Sequence, residues 1–307
     1  MWDKNQKTLK NKLSFSGIGL HSGLKTNLVL KPSEANKGIV FKRVDLKSDN
    51  EVIANFKNVS SARLCTKIQN KSGASVSTIE HLMAAFYICG VDNLLVEIDS
   101  LEVPIMDGSA KDFVEMIRNT GLKTLNKKRK FLKILKREEL KETNKSISIE
   151  PGDGFDVKFA LGYENTVIGN QSNKINFKEK DLENIYSART FCLFEDIEKI
   201  KASGLAKGGS LDNAIVVKGK QILNEGGLRS KKEFVNHKIL DLVGDFMLAG
   251  MRVIGSVECA HGGHSLTNSF LRKLLSDKNN FTIIEDQISP SNTKKVVSFT
   301  RGLVVNA

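Results

Sequence analysis

The chain reads HKILDLVGD at residues 237–245. Because residues four apart lie on the same face of a helix, a helix here places His237, Asp241 and Asp245 in one polar row. The residues around this row are mainly apolar, which predicts a largely buried helix. Buried carboxylates are costly unless they are paired, hydrogen-bonded or bound to a metal. The pattern therefore predicts that His237 and Asp241 are two metal ligands one turn apart.

A third ligand must come from another part of the chain, because catalytic zinc typically has three protein ligands and one position open to water. His81 is the strongest candidate, since Glu80 precedes it and a carboxylate beside a ligand can take a proton from a water at the metal. Two simpler interpretations stay open. Residues 77–80 match a helix capping box, which explains Glu80 without catalysis. A single histidine is also more often an ordinary core or surface residue than a ligand.

Three further polar residues could take part in chemistry. His264 lies in the Gly-rich segment 260–265, where a loop could bring an imidazole close enough to protonate a leaving group. An ordinary polar turn explains this segment equally well. Asp245 could orient such a histidine, or could lie on the helix surface. Thr190, within ARTF at 188–191, could stabilise an oxyanion, although this motif alone carries little information.

The composition of the 307 residues, 40% hydrophobic and 27% charged, is typical of a soluble globular protein. We expect no membrane span and no secretory signal, because the apolar stretches are short and the N-terminus is polar. The four cysteines are scattered, which favours a reduced cytoplasmic setting. The net charge of +12 favours anionic partners, but basic and aromatic residues are not interleaved as in single-stranded nucleic-acid binders. The Gly-rich segment 204–210 lacks the common nucleotide-binding patterns.

Hydrophobic periodicity predicts strands before helices in each half of the chain. The predicted strands are a hairpin at 9–31 and segments 39–41, 52–53, 93–98, 146–150, 155–161, 174–177 and, as the last one, 252–258. The predicted helices are 77–90, 112–119, 180–185, 195–202 and 233–249. This order favours an α+β fold over a parallel doubly wound sheet. The charged segment 120–130 is expected to be a linker with a domain boundary near residue 126, and residues 286–307 a tail.

Six segments, taken together and in order, resemble one known family. They are GIGLHSG at 17–23, STIEHL at 77–82, VDNL through PIMDGSA at 91–110, ARTF at 188–191, residues 211–217 and HKILD at 237–241. Each segment alone is weak evidence, but the set, spread over about residues 10–275, resembles the UDP-3-O-acyl-N-acetylglucosamine deacetylases. These are the zinc-dependent enzymes of lipid A biosynthesis in Gram-negative bacteria.

The resemblance implies two similar α+β domains, residues 1–126 and 127–285, each a sheet packed on helices. The helices would be sandwiched between the two sheets, with the active site between the domains. One insert is expected in each domain, near 55–75 and near 192–220. The second insert would form an apolar passage for the substrate's acyl chain, although ordinary core packing explains any one of its residues equally well. The expected lining is Ile197, Ala206, Gly209, Ser210, Ala214 and Val216.

The resemblance also assigns roles to individual residues. His81, His237 and Asp241 would hold zinc, Glu80 would be the general base, His264 the general acid and Asp245 its partner. Thr190 would support the oxyanion, Phe191 would pack on the sugar and Lys238 would lie near the diphosphate. Further substrate contacts are expected from His21, Leu64, Cys65 and Tyr163, the last near the uracil. The sequence departs from the family at His261, where a Lys or Arg facing the phosphates is expected, which weakens that contact.

The implied reaction is hydrolysis of the N-acetyl group of UDP-3-O-acyl-N-acetylglucosamine, which gives acetate and the free amine and commits the pathway to lipid A. We expect a cytoplasmic monomer that binds no nucleic acid and makes at most a transient contact with the inner-membrane surface. Two alternatives are a zinc hydrolase of another amide or ester and a basic RNA-binding α+β protein. The RNA-binding alternative explains the charge but not the His and Asp row, and metal analysis would distinguish it.

Overall fold

The computed structural model describes residues 4–178 and 181–285. It confirms the α+β class, with six α-helices and several β-sheets in these residues. Within the same two ranges, no helix combines the length and the apolar character needed to cross a bilayer. Residue 180 of one predicted helix and the predicted tail at 286–307 lie outside the described residues.

The first half of the chain supplies ten of the strands and two of the helices. They are β1 (Asn5–Leu9), β2 (Leu13–Ile18), β3 (Lys25–Pro32), β4 (Ile39–Arg43), β5 (Glu51–Ile53), β6 (Val59–Ser61), β7 (Lys67–Gln69), β8 (Ser75–Val76), α1 (Glu80–Cys89), β9 (Leu94–Ile98), α2 (Lys111–Thr120) and β10 (Leu122–Lys128).

The second half supplies the remaining elements of the described residues. They are β11 (Lys130–Ile134), β12 (Glu138–Lys141), β13 (Ser146–Glu150), β14 (Phe155–Gly162), β15 (Asn170–Asn176), α3 (Glu183–Tyr186), β16 (Phe191–Leu193), α4 (Phe194–Ala202), β17 (Ile215–Lys218), β18 (Gln221–Ile222), α5 (Glu233–Met247), β19 (Arg252–Ala260), α6 (His264–Ser276) and β20 (Phe281–Glu285).

The larger sheet of the first half has the strand order β2-β3-β9-β4-β5. Its neighbours are antiparallel except β4 and β9, which run parallel. Buried side chains alternate along β3 and β9, as expected for strands with one face on a core. On that face Phe15 of β2 meets Phe113 of α2 edge to face, with ring centroids 5.0 Å apart. The predicted hairpin at 9–31 is confirmed by the pairing of β2 with β3.

The larger sheet of the second half contains the same order of strands. The path β12-β13-β19-β14-β15 has the same directions as the first sheet, with β14 and β19 as its parallel pair. β11 and β20 extend this sheet beside β19. In each half a small three-stranded sheet also precedes one of the two buried central helices: β6-β7-β8 precedes α1, and β16-β17-β18 precedes α5.

Helices α1 and α5 pack against each other at a very short distance. Gly244 on α5 has no side chain, and a Cβ at this position would overlap with the carbonyl oxygen of Glu80 on α1. Both helices are buried along nearly their whole lengths. α1 ends at Gly90, whose φ of 83° is the left-handed conformation that commonly terminates helices.

Several sequence predictions need correction. The charged segment expected to be a linker contains β10, because its backbone pairs antiparallel with β1 while its lysines stay exposed. The proposed boundary near residue 126 therefore falls inside a strand. The strand at 252–258 is not the last, since β20 follows it, and α6 was not predicted.

The capping-box interpretation of residues 77–80 is wrong. α1 begins at Glu80 with Ile79 as its N-cap, and no side chain caps the helix. The Ser77 hydroxyl instead donates to the carbonyl oxygen of Leu101 at 3.1 Å. Glu80 is therefore buried for a reason other than capping.

Replacing Gly244 by alanine tests the contact between the helices. Alanine normally stabilises a helix interior by about 1 kcal/mol relative to glycine. Here the added methyl group would push α5 away from the Glu80 carbonyl, so we expect Gly244→Ala to lower the free energy of unfolding by about 1–3 kcal/mol. Urea denaturation measures the change. The control is Asn119→Ala at an exposed position of α2, where alanine should not lower the stability. A Gly244→Ala protein as stable as the parent would contradict the close contact.

Candidate metal centre and active site

Three buried side chains on α1 and α5 meet at one point. His81 is the second residue of α1, and His237 and Asp241 lie one turn apart on α5. The Nε2 atoms of both histidines lie 3.4 Å from Oδ1 of Asp241. One ligand atom from each residue lies within 4.8 Å of the others. A single ion could therefore contact all three residues.

The hydrogen bonds around this cluster fit a metal. Oδ1 of Asp241 is buried and has no hydrogen-bond partner among the described residues, a costly state for a carboxylate oxygen. Nδ1 of His237 lies 3.0 Å from the carbonyl oxygen of Ala188, which fixes the proton on Nδ1 and leaves the Nε2 lone pair toward Asp241. Two imidazoles and one carboxylate are a typical donor set for catalytic zinc.

The protonation states also suit a metal site. Burial lowers the pKa of His237 to about 4, so its imidazole is neutral at pH 7. Burial alone would raise the pKa of Asp241, but its neighbours His237 and Lys238 outweigh this effect and hold the pKa well below the ordinary value. The ammonium group of Lys238 donates to Oδ2 of Asp241 at 2.7 Å. Metal ligands must be deprotonated, and these two groups are.

A carboxylate and imidazole pair lies next to the cluster. Nδ1 of His264 is 2.7 Å from Oδ2 of Asp245, and both side chains are buried. Burial alone would lower the pKa of His264, but the carboxylates of Asp245 and Glu80 outweigh it and raise the pKa to about 9. Nε2 of His264 lies 3.7 Å from Oε1 of Glu80. His264 is therefore a protonated imidazolium at neutral pH, aimed toward Glu80.

Two of these residues differ in placement from the simpler sequence interpretations. His264 is the first residue of α6 and does not lie in a loop, and Asp245 is buried, not on a helix surface. Burial raises the pKa of the Glu80 carboxyl. The structure thus brings Glu80, His264 and Asp245 together beside the three candidate ligands.

A cavity of about 610 Å³ opens over the cluster. It is lined by Glu80, the three candidate ligands and His264, and by most of the residues predicted to contact the substrate outside the acyl passage. These are His21, Leu64, Tyr163, Thr190, Phe191, Lys238 and His261. Cys65 is the exception: it is buried, lines neither this cavity nor the one beside it, and burial raises its pKa to about 12.

A second cavity of about 380 Å³ adjoins the first. It contains all six residues predicted for the acyl passage, together with apolar side chains of α4 and the following segment. The six are Ile197, Ala206, Gly209, Ser210, Ala214 and Val216. The two cavities share lining residues at their boundary, namely Leu20, His21, Leu64, Thr190 and Phe191.

The boundary residues are held by both halves of the chain. The backbone N–H of Thr190 donates to the Gly108 carbonyl at 2.8 Å, and the Thr190 carbonyl accepts from Ile215 at 2.8 Å. The Phe191 ring packs edge to face on Phe234, with centroids 4.9 Å apart. A salt bridge of 2.8 Å between Arg189 and the buried Glu233 fixes the segment before them. Thr190 and Phe191 therefore have defined positions above the cluster.

Sequence reasoning missed Thr66. Its backbone N–H donates to Oε2 of Glu80 at 3.0 Å, and its hydroxyl donates to Oδ1 of Asp245 at 2.6 Å. A single threonine in an irregular polar segment carries no recognisable signal, so only the folded chain reveals these contacts. The Ala188 carbonyl that orients His237 was missed for the same reason, since any residue type supplies a carbonyl.

The family model and the relatives compared with this chain all carry nearly the same description. The family described as "LpxC: UDP-3-O-acyl N-acetylglycosamine deacetylase" matches residues 6–276. The chain is 45% identical over 290 residues to the UDP-3-O-acyl-N-acetylglucosamine deacetylase of Geotalea uraniireducens, covering 94% of each protein. It is 44% identical to the enzyme of that name from Geobacter sp. (91% and 92% covered) and 39% identical to that of Aliivibrio fischeri (92% and 94% covered).

Removing the charge of Asp245 tests whether this carboxylate keeps His264 protonated. With Asp245 ionised, the pKa of His264 is about 9. In Asp245→Asn, burial still disfavours the cation and one compensating charge is lost, so we expect the pKa of His264 to fall by about one to three pH units. NMR titration of the imidazole in the metal-free protein measures this value. An imidazole that still titrates near pH 9 in the variant would contradict the assignment.

Proposed function

The chain belongs to the LpxC family of UDP-3-O-acyl-N-acetylglucosamine deacetylases, and we propose that the cluster between α1 and α5 is its active site. The protein is a zinc-dependent amidohydrolase of lipid A biosynthesis. Water adds to the amide of the N-acetyl group, the C–N bond breaks, and acetate and UDP-3-O-acyl-glucosamine are released. The observation that carries the proposal is the unpartnered Asp241 oxygen facing two buried imidazoles.

His81, His237 and Asp241 would hold the zinc ion. When bound there, zinc supplies Lewis-acid polarisation of the amide carbonyl and of the attacking water. The Ala188 carbonyl supports this assignment, because it orients His237 with its lone pair toward the shared point. Lys238 supports it as well, because it occupies the second oxygen of Asp241 and leaves the first one available.

Glu80 would act as the general base. Its Oε2 is engaged by the Thr66 N–H, so Oε1 is left to face the cavity and His264. Burial raises the pKa of this carboxyl, which makes it a better proton acceptor near neutral pH. The carboxylate takes a proton from the water as the water oxygen bonds to the acetyl carbon.

His264 would act as the general acid. The Asp245 carboxylate keeps it protonated, and its Nε2 faces the cluster. This imidazolium gives its proton to the departing nitrogen as the C–N bond breaks. Thr190 lines the same cavity, and its hydroxyl would donate to the oxygen on which negative charge develops.

The two cavities would divide the substrate between them. The sugar would pack on Phe191 at their boundary, beside His21 and Leu64, and the diphosphate and uracil would extend toward Lys238, His261 and Tyr163. Lys238 remains a cation there, since burial would lower its pKa but the neighbouring Asp241 raises it above the ordinary value. The acyl chain would enter the apolar second cavity. Cys65 lines neither cavity and is given no contact with the substrate.

We also infer that the two halves are two similar domains with their helices between the sheets. The repeated strand order, the parallel pairs β4·β9 and β14·β19, and the position of α1 and α5 before the central strands support this arrangement. The small sheets at corresponding points support one insert per domain. Family membership supports a cytoplasmic enzyme, and the monomeric state and a transient contact with the inner-membrane surface stay predictions.

Two variants separate the roles of base and ligand. Glu80→Ala keeps all three ligands, so we expect it to bind a full equivalent of zinc and lose about a hundredfold to ten-thousandfold in kcat. His237→Ala removes a ligand and should lose the metal along with the activity. Metal analysis by mass spectrometry and a deacetylation assay on the UDP-sugar measure both properties.

The outcomes of this pair are distinct. Near-normal turnover by Glu80→Ala would end the assignment of the base. A full zinc equivalent in His237→Ala would end the assignment of the ligand. Wild-type protein that binds zinc but releases no acetate from the acylated UDP-sugar would overturn the active-site proposal itself.

The acyl passage makes a separate prediction about specificity. Ala214→Leu places a larger side chain in the second cavity, so kcat/KM for a substrate with a long acyl chain should fall about tenfold or more. A substrate analogue without the acyl chain should be affected by less than about twofold. Ala202→Leu, at an exposed position of α4 outside the cavity, is the matched control. Equal losses for the two substrates would show that the chain binds elsewhere.

A further inference from the structure

Thr66 contacts both carboxylates of the proposed acid and base machinery. It lies directly before β7, a strand of the small sheet that precedes α1, and the residue is only 2% exposed. Its N–H donates to Oε2 of Glu80 at 3.0 Å, and its hydroxyl donates to Oδ1 of Asp245 at 2.6 Å. Its carbonyl oxygen accepts from the Ile79 N–H at 3.4 Å, at the start of α1. All three polar groups of Thr66 are therefore engaged by the elements that carry the active site.

These contacts close a ring of four residues. From Thr66 the ring runs through Asp245 to Nδ1 of His264 at 2.7 Å, and from Nε2 of His264 to Glu80 at 3.7 Å, which returns to Thr66. Each carboxylate uses its outer oxygen on Thr66 and presents its inner oxygen to His264. A carboxylate held at one oxygen cannot rotate freely about its terminal bond, so the direction of the other oxygen is fixed.

We propose that Thr66 is a positioning residue for the deacetylation, which orients the base Glu80 and the partner Asp245 from one point. It lines neither cavity, so it acts through these carboxylates and not through the substrate. The proposal rests on the roles proposed above for Glu80, His264 and Asp245. The hydrogen bond from the Thr66 hydroxyl to the Asp245 carboxylate is short and charge-assisted, and such bonds are stronger than those between neutral groups.

The test is Thr66→Val, which keeps the shape and the N–H but removes the hydroxyl. We expect kcat to fall about tenfold to a hundredfold, with KM and zinc content within about twofold of the parent. Thr66→Ser restores a hydroxyl and should recover most of kcat. The matched control is Thr26→Val: Thr26 is equally buried, but its hydroxyl has no hydrogen-bond partner among the described residues, so activity should not change.

A double-mutant cycle separates positioning from general destabilisation. In the Asp245→Asn background, Thr66→Val should reduce kcat by less than about twofold, because the residue through which it acts is already impaired. If the valine variant does not fold, Thr66→Ala and Thr66→Ser replace it in the same cycle. Full activity without the hydroxyl, or equal losses in both backgrounds, would overturn the proposal.

Failure of this inference can be told apart from failure of the proposed function. If Glu80→Ala and Asp245→Asn are impaired while Thr66→Val is not, only the role of Thr66 is lost. If neither carboxylate variant is impaired, the active-site proposal fails and the role of Thr66 fails with it.

Discussion

The contact between the backbones of α1 and α5, at Glu80 and Gly244, is the constraint on which the site depends. His81 belongs to one helix and His237 and Asp241 to the other, so the ligand atoms share a point only while the helices stay this close. A buried interface between helices is rigid because side chains pack on every side. The two halves of the chain thus hold the cluster together, and neither half contains it alone.

Burial of so many charges needs compensation, and the structure supplies part of it. Lys238 neutralises one oxygen of Asp241, and His264 carries the proton that offsets Asp245. Among the described residues, the remaining oxygen of Asp241 has no hydrogen-bond partner. Glu80 lies 3.7 Å from the imidazolium of His264, but burial still raises the pKa of its carboxyl. A divalent ion at the shared point would satisfy the first and favour ionisation of the second. Metal binding and ionisation of the proposed base Glu80 would therefore be coupled electrostatically.

The sequence predicted those parts of the site that follow from the regular spacing of residues on a helix. It did not predict the parts that depend on a single contact between distant residues. Helical spacing predicted the row of His237, Asp241 and Asp245, and apolar surroundings predicted its burial. His81 was the strongest candidate for a third ligand because Glu80 precedes it, and the family resemblance supported that choice. Thr66 acts through contacts between residues far apart in the chain, which no local pattern encodes. β10 was mistaken for a linker because its exposed side chains are mostly polar or charged, whereas its backbone pairs with β1, which the charge pattern does not reveal.

The order of strands explains why the site lies where it does. In each half a helix comes directly before the central strand, α1 before β9 and α5 before β19, and these two helices face each other. The small sheet before α1 brings Leu64 and Thr66 to the interface, and the small sheet before α5 brings Phe191 and the apolar cavity. The two cavities share lining residues from the segment after β2 and from the segments in or beside these two small sheets. A substrate with a charged head and an acyl tail that occupied both cavities would therefore place its sugar at that boundary, beside the candidate metal ligands.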